Sequence, residues 1–471
     1  MTIIIATTVA ETKRGIRIWL EGAKLIRGQF TPAARYNMRF NKGSLTLSKD
    51  ANGSHTVSSR KETPIIDLCS KKLAQWFSPG EKLKAIVRGG RIVIRRIAQT
   101  IKTNRREQRI LAKIAAGKPL NVVTAFSGGG MMDASLHQGF KNAGIKLRTM
   151  LTYEIEGKYI DASLKANPEL FDDKTVIVNA PIQDINISSS EGAEIFWAGI
   201  PCVGSSSAGR SKRKLTHAES HPDAGALFYS TLRLIEEFSP AIVILENVGS
   251  YKNTASFEVI RSMLSSTWGY TVHESILNGN DFGALENRDR LVVVAVSKNL
   301  QKLGGFDMSQ ITPVRQKEAK LRDILEPIGE DDPRWAIHEY LENKEISDIA
   351  AGKGFRRQLY TGDESKIAVI TRGYSKIRST DPHLMHPTKA RYTRLLTPVE
   401  HARAKGVPEG WIQSTGLSTS KANEALGQGI IWPKFQAIGT AIGINLKTAA
   451  KHATIGTGGA EMPQQGFALA A

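Results

Sequence analysis

From residue 121 onward the sequence alternates short apolar runs with segments of helical periodicity, and this alternation constrains the fold more than any other feature. The apolar runs occupy residues 121–126, 148–154, 195–198, 241–245 and 291–296. Such runs between helical segments are typical of buried strands in a parallel sheet. The sequence therefore predicts an α/β fold, in which ligands bind at the carboxyl ends of the strands.

Two of these strand ends carry residues suited to a nucleotide-like ligand. Glycines at 128, 129 and 130 follow the first run and let a bound molecule approach the backbone closely. The turn is not a dinucleotide fingerprint, because the third glycine of G-x-G-x-x-G would fall at Asp133. Glu154 ends the second run, where an acid can accept hydrogen bonds from a ribose. Its alternative interpretation is a solvated loop carboxylate.

The third run breaks at Gly199-Ile200-Pro201 and is followed by Cys202. Proline fixes φ and lacks an N–H, so the strand cannot continue past Pro201 and the cysteine lies in a loop. The chain has two cysteines, and the other, Cys69, lies in the N-terminal region. Taken alone, Cys202 is equally well interpreted as a buried structural thiol.

Three further residues favour a reactive cysteine. Glu246 ends an apolar strand, where partial desolvation of a carboxyl group would favour its protonated form and let it donate a proton. Arg288 and Arg290 enter the last strand two residues apart, so we expect them to point to the same face. A cysteine nucleophile, a proton donor and paired arginines could together attack an electron-poor ring.

The motifs follow one another in a definite order. They are Phe126-Ser127-Gly128, Glu154, Asp184, Pro201-Cys202, Glu246-Asn247-Val248, Arg288-x-Arg290, residues 394–400 and residues 439–441. This order resembles that of the DNA (cytosine-5) methyltransferases and covers roughly residues 121–445. The resemblance implies a Rossmann-like S-adenosylmethionine-dependent methyltransferase sheet, with a small target-recognition domain and duplex DNA as substrate.

The resemblance also implies roles for the catalytic residues. Cys202 would add to C6 of cytosine, and Glu246 would contact N3 of the ring and promote that addition. Arg290 would help to hold the cytosine and the cysteine, and Arg288 a backbone phosphate. Ser206 matches the serine of the P-C-x-x-x-S loop that closes over the DNA. The target cytosine has to be flipped out of the duplex, because its reacting atoms lie inside the stack.

The implied cofactor is S-adenosyl-L-methionine, and no metal site is expected. Its contacts would come from Phe126, Gly128, Gly130, Pro201, Glu154 at the ribose and Asp184 at the adenine. The sequence departs from the family at Glu286, Met131, Val203 and Thr440, where the family commonly has Gln, Gly, Gln and Asn. None of these departures touches Cys202 or Glu246.

The N-terminal quarter of the chain carries nearly all of the charge excess and an internal repeat. Residues 1–118 hold 25 Lys and Arg against 7 Asp and Glu, which accounts for +18 of the net +19. Residues 30–47 and 77–94 each read as a β-hairpin, at an offset of 47 positions. This repeat resembles the hairpins of AbrB-type and SymE-type proteins. Nucleic-acid binding is the favoured interpretation, and a merely stabilising β domain is the alternative.

The predicted domain boundaries follow from these changes in charge and in apolar periodicity along the chain. We expect a basic β-hairpin domain (1–97), a basic helix and linker (98–118), the catalytic domain (119–300), a target-recognition region (301–390), a return to the catalytic domain (391–450) and a disordered tail (451–471). In the target-recognition region, basic and aromatic residues such as Arg372 and Tyr374 are candidate DNA contacts.

Two cysteines, no apolar run near ~20 residues and no signal peptide favour a cytoplasmic monomer in a bacterial or phage-infected cell, with no membrane contact. A cognate restriction endonuclease is a candidate partner, and a solitary role is the alternative. Rival functions are RNA cytosine-5 methylation, and a DNA-binding regulator that uses the N-terminal domain.

Overall fold

The computed structural model describes residues 1–41, 43–185, 187, 192–201, 225–353 and 356–456. The chain forms two compact units that divide between Arg105 and Arg106. The predicted residues Cys202, Val203 and Ser206 lie outside the described residues.

The first unit is built mainly of strands. In chain order its elements are β1 (Ile3–Thr8), β2 (Ala10–Thr12), β3 (Gly15–Glu21), α1 (Ala23–Arg27), β4 (Arg35–Asn41), β5 (Ser44–Lys49), β6 (His55–Thr56), β7 (Ser58–Arg60), β8 (Thr63–Ser70), β9 (Lys82–Arg88) and β10 (Arg91–Arg96). They form a six-stranded sheet, β1-β9-β10-β5-β4-β6, and a four-stranded sheet, β2-β3-β8-β7.

Both hairpins expected from the repeat are present in this unit. β9 and β10 begin 47 residues after β4 and β5, and each pair is antiparallel. β5 pairs with β10, its own repeat, and β3 pairs with β8 in the same way. Alternate residues of these strands point inward and build one apolar core, which includes Leu45, Leu47, Ile92 and Ile94. The duplication thus gives a pseudo-twofold arrangement.

The second unit carries the large α/β sheet. Its elements, with the helix that leads into it, are α2 (Ala98–Ala115), β11 (Leu120–Ala125), α3 (Met131–Asn142), β12 (Leu147–Tyr153), α4 (Gly157–Ala166), β13 (Val176–Val178), β14 (Ile195–Gly199), α5 (Leu227–Phe238), β15 (Ile242–Asn247), α6 (Ala255–Ser262), β16 (Tyr270–Leu277), β17 (Arg290–Ser297), α7 (Lys298–Gly304), β18 (Ala336–Ile337), α8 (Glu339–Ala350), β19 (Gln358–Tyr360), β20 (Pro382–Met385), β21 (Tyr392–Arg394), α9 (Pro398–Ala404), α10 (Trp411–Ser414), α11 (Thr419–Gln428) and α12 (Trp432–Gly456).

The sheet has the strand order β13-β12-β11-β14-β15-β17-β16. The predicted parallel pairing holds from β13 to β15, whereas β17 is antiparallel to both of its neighbours. A parallel strand needs a crossover connection of a dozen or more residues, usually a helix. The connection from β16 to β17, residues 278–289, contains a 3₁₀ turn at Asn280–Phe282 but no crossover helix, so β17 returns antiparallel.

Both faces of this sheet are buried, which explains the continuous apolar runs of its strands. Alternate residues of β14 and β15 point to opposite faces. One face carries Trp197 and Ile244 together with apolar residues of α3 and α12, and the other carries Phe196 and Leu245 with residues of α5 and α6. The two cores hold the strand ends in fixed positions.

Residues of α2 after Arg105 pack on the second unit through charged groups. Glu194, just before β14, is 0% exposed. It forms ion pairs with Arg109 at 2.6 Å and Lys113 at 2.7 Å, and its carboxylate accepts a hydrogen bond from the backbone N–H of Asn121 at 2.6 Å. These contacts tie the C-terminal half of α2 to the start of the central strand.

The segment predicted as a target-recognition region, residues 301–390, has its own small fold. Between residues 301 and 394 the chain forms α8 and a four-stranded sheet, β18-β21-β20-β19. The expected start of a disordered tail at residue 451 is wrong, because α12 continues to Gly456. The remaining tail lies outside the described residues.

Helices α3 and α12 cross where glycines leave room for both backbones. A Cβ at Gly139 would overlap the carbonyl oxygen of Gln436 and lie 2.9 Å from the Cα of Gly439. Thr440 donates from its hydroxyl to the carbonyl oxygen of Gly139 at 3.1 Å. The close crossing therefore needs a glycine at 139.

We predict that Gly139→Ala lowers the free energy of unfolding of the second unit by about 1–3 kcal/mol, because the added methyl group overpacks the crossing. Gly329→Ala is the control, since a Cβ there meets no atom within 4 Å. Urea unfolding followed by tryptophan fluorescence measures both variants. Equal midpoints for the two variants would contradict the prediction.

Candidate active site

The carboxyl edge of the large sheet brings three neighbouring strand ends together. β14 and β15 run parallel, with Gly199 opposite Glu246. A Cβ at Gly199 would lie 3.8 Å from Oε2 of Glu246 and 4.0 Å from the carbonyl oxygen of Phe126, which follows β11. The absence of a side chain at Gly199 therefore leaves the space beside the Glu246 carboxylate clear.

Asn247 connects the end of β15 to the segment that leads to Cys202. Its side-chain Nδ2 donates to the carbonyl oxygen of Ile200 at 3.2 Å, and its Oδ1 accepts from the backbone N–H of Val248 at 2.8 Å. The residue is 3% exposed. Because both ends of this amide are used, Asn247 fixes the backbone immediately before Pro201, which is half-buried at the end of the described segment.

Glu246 and Arg290 form an ion pair at this edge. Nε of Arg290, the first residue of β17, lies 3.2 Å from Oε1 of Glu246. The two side chains are 15% and 13% exposed. A hydrogen-bonding carboxyl group beside a planar guanidinium forms a polar site that could hold a flat, polar ring.

Arg288 lies in a different environment from Arg290. It precedes β17, is 3% exposed, and donates to Oε1 of Glu286 at 3.2 Å and to the carbonyl oxygen of Gly427 at 3.0 Å. Because Arg288 lies outside the regular strand, the expectation that both arginines share one face stays a prediction. A phosphate contact by Arg288 would require its guanidinium to leave this buried network.

Glu286 forms an ion pair with a buried cation. Nζ of Lys405 lies 2.6 Å from Oε2 of Glu286, and both side chains are 0% exposed. Glu286 also accepts a hydrogen bond from the backbone N–H of Ile370 at 3.2 Å. Burial alone would raise the pKa of Glu286, but Lys405, Arg288 and His401 together lower it. The carboxylate therefore connects three segments through its contacts with Arg288 just before β17, with Ile370, and with Lys405 at the end of α9.

A second buried lysine belongs to the surroundings of the Glu246–Arg290 pair. Lys434, on α12, is 0% exposed and donates to the carbonyl oxygen of Leu277 at 3.1 Å. Burial lowers the pKa of Lys434 to about 7, although the charge of Glu246 opposes this shift. Lysine is seldom found fully buried without a carboxylate partner. Lys434 therefore adds a titratable cation near the edge of the sheet.

Glu154 is held by the glycine turn that precedes it in the chain. The backbone N–H of Gly128 donates to Oε2 of Glu154 at 2.7 Å, and that of Glu156 to Oε1 at 2.9 Å. Burial raises the pKa of Glu154 against these two bonds. A carboxylate has about four acceptor positions, so further acceptor positions are left for the hydroxyl groups of a ligand.

The turn itself has an unusual backbone. Phe126 has a φ of 58°, in the left-handed region that residues other than glycine rarely adopt. A Cβ at Gly128 would meet no atom within 4 Å, whereas one at Gly130 would overlap Oγ of Ser163. The space beside Gly128 is therefore open, whereas Gly130 is tightly packed against Ser163. A ligand can lie against the backbone of Gly128.

Asp184 and Trp411 also lie at this edge of the sheet. Asp184 lies in the turn after β13 with an exposed side chain, so it is accessible to a ligand. Cη2 of Trp411 would lie 3.9 Å from a Cβ at Gly129, and its Nε1 donates to Oδ1 of Asn167 at 2.7 Å. An aromatic residue thus packs beside the glycine turn.

The candidate DNA contacts of the small sheet differ in exposure. Arg372 lies on the surface in an ion pair with Glu424. Tyr374 is 0% exposed, and its hydroxyl group donates to the carbonyl oxygen of Pro382 at 2.7 Å. The expectation that Tyr374 contacts DNA is therefore wrong, because its ring belongs to the core of this region.

Neither a metal centre nor a membrane-spanning helix is found in the part of the chain that the structure describes. In these ranges no three His, Cys, Asp or Glu side chains are placed to hold a metal ion. No described helix combines the length and the apolar character that crossing a membrane requires.

Sequence reasoning missed several residues of this edge. Asn247 was noted only as part of a motif, and Trp411, Lys405 and Lys434 were not singled out. The lysines give no pattern signal, since their burial depends on distant packing. The left-handed φ of Phe126 was also missed, although the glycines after it indicated an unusual turn.

Comparisons with known proteins agree with the order of the motifs. The family model of the C-5 cytosine-specific DNA methylases matches residues 121–443. Type II methyltransferase M1.ScrFI of Lactococcus lactis subsp. cremoris is 28% identical over 301 residues, which are 62% of this chain and 71% of that protein. Type II methyltransferase M.HhaI of Haemophilus parahaemolyticus is 25% identical over 279 residues, which are 56% of this chain and 80% of that protein.

A solved structure supports the fold. The Dnmt2 methyltransferase of S. pombe superposes with a TM-score of 0.52 at 19% sequence identity, over 70% of this chain and 98% of that one. At this identity the likeness shows the fold alone. It agrees with the predicted α/β sheet.

We predict that Glu286→Gln lowers the free energy of unfolding by about 3–5 kcal/mol, because it leaves Lys405 and Arg288 buried without their carboxylate. Burial, reinforced by the charge of Arg288, lowers the pKa of Lys405. A lysine with a lowered pKa in the folded state costs stability as the pH falls, since it must then be charged inside the protein. The deficit should therefore be larger at pH 6 than at pH 9.

Urea unfolding at the two pH values measures this effect. The double variant Glu286→Gln/Lys405→Met is the matched control and should recover most of the loss, because it removes the uncompensated charge together with the carboxylate. Similar losses for the single and double variants would show that the ion pair does not carry the effect.

Proposed function

The chain belongs to the C-5 cytosine-specific DNA methylase family, and from this premise we propose how its residues methylate C5 of cytosine in DNA. The single observation that carries the proposal is the meeting of Gly199, Glu246 and Arg290 at the carboxyl edge of the sheet. The Nε to Oε1 distance of 3.2 Å and the clear space beside Gly199 support a binding place for a base. Cys202 follows in the chain three residues after Gly199.

We propose that Cys202 is the nucleophile. Its thiolate would add to C6 of a cytosine that has been flipped out of the duplex, and would leave again as thiolate once the proton on C5 is lost. Asn247 would act as a positioning residue, because it holds the carbonyl oxygen of Ile200 at 3.2 Å, two residues before the cysteine.

Glu246 and Arg290 would bind the ring. The carboxyl group of Glu246 would hold a proton at N3 of the cytosine, which draws electrons from C6 and promotes addition there. Arg290 would orient that carboxyl group and hydrogen-bond to the base. Neither role depends on Arg288, which would instead support the entry of β17 from its network with Glu286.

The residues at the glycine turn fit S-adenosyl-L-methionine. Glu154 retains acceptor positions for a ribose, and the space above Gly128 is open. Phe126, Gly128, Gly130 and Pro201 would then surround the cofactor, with Asp184 at its adenine. When it is bound, this cofactor supplies an electrophilic methyl group.

The substrate is DNA, because the matched family acts on DNA and the relatives found are type II methyltransferases. The RNA alternative is not favoured. We further propose that the protein methylates one short motif within a restriction-modification system, in which a partner endonuclease would cut the unmethylated motif.

We predict that Cys202→Ala lowers methylation by at least roughly 10³-fold, because loss of a nucleophile removes the covalent route. Glu246→Gln should lower kcat by about 10²–10⁴-fold, the range of general acid–base catalysis. Bisulfite sequencing of DNA from a methylation-free host that expresses each variant measures the outcome. Cys69→Ala is the control, since this thiol lies on β8 in the first unit, where it contacts Oγ1 of Thr12.

Methylated cytosine in one short motif is the expected wild-type result, with Cys69→Ala unchanged. Full methylation by the Cys202→Ala variant would overturn the assignment of the nucleophile. Unmodified DNA from a well-folded wild type would overturn the proposed function itself.

We also predict that Glu154→Ala weakens cofactor binding by roughly 10–100-fold, since a hydrogen bond to a charged group contributes about 1.5–3 kcal/mol. Isothermal titration calorimetry with the demethylated cofactor measures the affinity. Glu156→Gln is the control, because this neighbouring side chain is exposed. Equal affinity of the Glu154→Ala variant and the wild type would remove Glu154 from the site.

A further inference from the structure

The outer face of the six-stranded sheet in the first unit concentrates positive charge. Its strands alternate between core and solvent, and the core side is taken by residues such as Leu45, Leu47, Ile92 and Ile94. The solvent side of β4, β9 and β10 carries Arg39, Lys82, Lys84, Arg88, Arg91 and Arg95. We call these six residues the basic face.

The outward positions of these strands hold no carboxylate. Between the cations, β5 presents only Ser44, Thr46 and Ser48 on the same side. Asp50, just beyond β5, is engaged by Nδ2 of Asn37 at 2.7 Å and by the backbone N–H of Asn52 at 2.9 Å. Within the described residues, no ion pair links any member of the basic face to an acid.

At two places on the basic face, positively charged residues lie directly opposite each other on the neighbouring strands β9 and β10. Arg91 of β10 pairs with Arg88 of β9, and Arg95 pairs with Lys84. Side chains in such positions have Cβ atoms about 4.5–5.5 Å apart, and like charges there are destabilising. A polyanion that binds this face would relieve the repulsion.

The repeat shows that these charges are not required by the fold. The positions 47 residues earlier, which occupy the equivalent places on β4 and β5, are Asn37, Asn41, Ser44 and Ser48. The same hairpin therefore forms with neutral side chains at these places. Four of the six charges therefore belong to the second copy alone, whereas Arg39 lies on the first copy and Lys82 corresponds to Arg35.

The chemistry of the face favours a duplex over a single strand. Proteins that bind single strands stack exposed bases on aromatic side chains. The outward positions of β4, β5, β9 and β10 include no aromatic residue among those described, since Tyr36 and Phe40 belong to the core side. Arginine, lysine and hydroxyl groups on a flat surface suit phosphates of a backbone.

We propose that the basic face is a second DNA-binding surface, which binds the phosphate backbone of duplex DNA without reading its sequence. It is separate from the site at the carboxyl edge of the large sheet and requires no methyl transfer. Because both surfaces belong to one chain, binding of the duplex through the basic face raises the local concentration of DNA for the enzyme.

The test removes four of these charges by copying the neutral residues that the first copy of the repeat has at the same places. The face variant carries Lys84→Asn, Arg88→Asn, Arg91→Ser and Arg95→Ser, the residues that the first copy has at these positions. The control variant carries Lys13→Ser, Arg14→Ser, Arg60→Ser and Lys61→Asn, which remove four exposed charges at turns of the other sheet. Asn suits position 61, where φ is 47°.

Binding of the full-length proteins is measured on a duplex that contains only A·T pairs, over a range of salt concentrations. This duplex has no cytosine, so the result does not depend on the proposed function. Each lost phosphate contact lowers the slope of log K against log salt by about 0.9. We expect the magnitude of the slope to be smaller by roughly 2–4 in the face variant than in the wild type. The slope of the control variant should stay within about 1 of the wild-type slope.

Thermal unfolding establishes that both variants are folded, and kcat on a saturating cytosine-containing duplex should be equal in both. Equal slopes for the face and control variants would overturn the proposal, because net charge alone would then explain binding. Equal or tighter binding of an A·U duplex RNA or of single-stranded DNA would overturn the assignment to duplex DNA.

Discussion

The parallel register between β14 and β15 is the constraint on which the active edge depends. It places Gly199 opposite Glu246, and a slip by one residue would turn every side chain of the strand to the other face of the sheet. Both faces are filled by separate apolar cores, so such a slip would bury the wrong residues on each side. The position of the carboxyl group thus follows from the packing of side chains far from the chemistry.

The charged side chains at this edge are buried or nearly buried, so they are balanced by one another and not by solvent. Glu286 and Lys405 are both 0% exposed and connect the entry of β17 to the end of α9, while Arg290 pairs with Glu246 nearby. Replacing both members of a buried ion pair by apolar residues is often neutral, whereas removing one member is costly. This accounts for how a carboxylate can be buried at position 286, since Lys405 supplies the opposite charge.

Much of the fold could be predicted from the sequence, because buried parallel strands give continuous apolar runs and the repeat gives two matching hairpins. β13 and β16 were missed, since β13 has only three residues and most of β16 is half-buried. Within the site, Glu154 and Glu246 could be placed because each ends a predicted strand. The surroundings of Arg288 could not, since it donates to Gly427 and its partner Glu286 is held by Lys405, and both Gly427 and Lys405 are distant in sequence. Tyr374 was misjudged for the same reason, because an aromatic residue in a polar segment gives no sign of its burial.

The ion pairs of Glu194 have a consequence for where this protein can be divided. The excess of basic residues ends near residue 118, so this point could be chosen for a truncation that isolates the catalytic part. Such a cut would remove Arg109 and Lys113 and leave Glu194, at 0% exposure, without a counter-charge at the foot of the strand that leads to Gly199 and Pro201. A shortened enzyme should therefore begin at or before Arg106, and a fusion partner should be joined there. The part of α2 from Arg106 onward therefore belongs to the second unit.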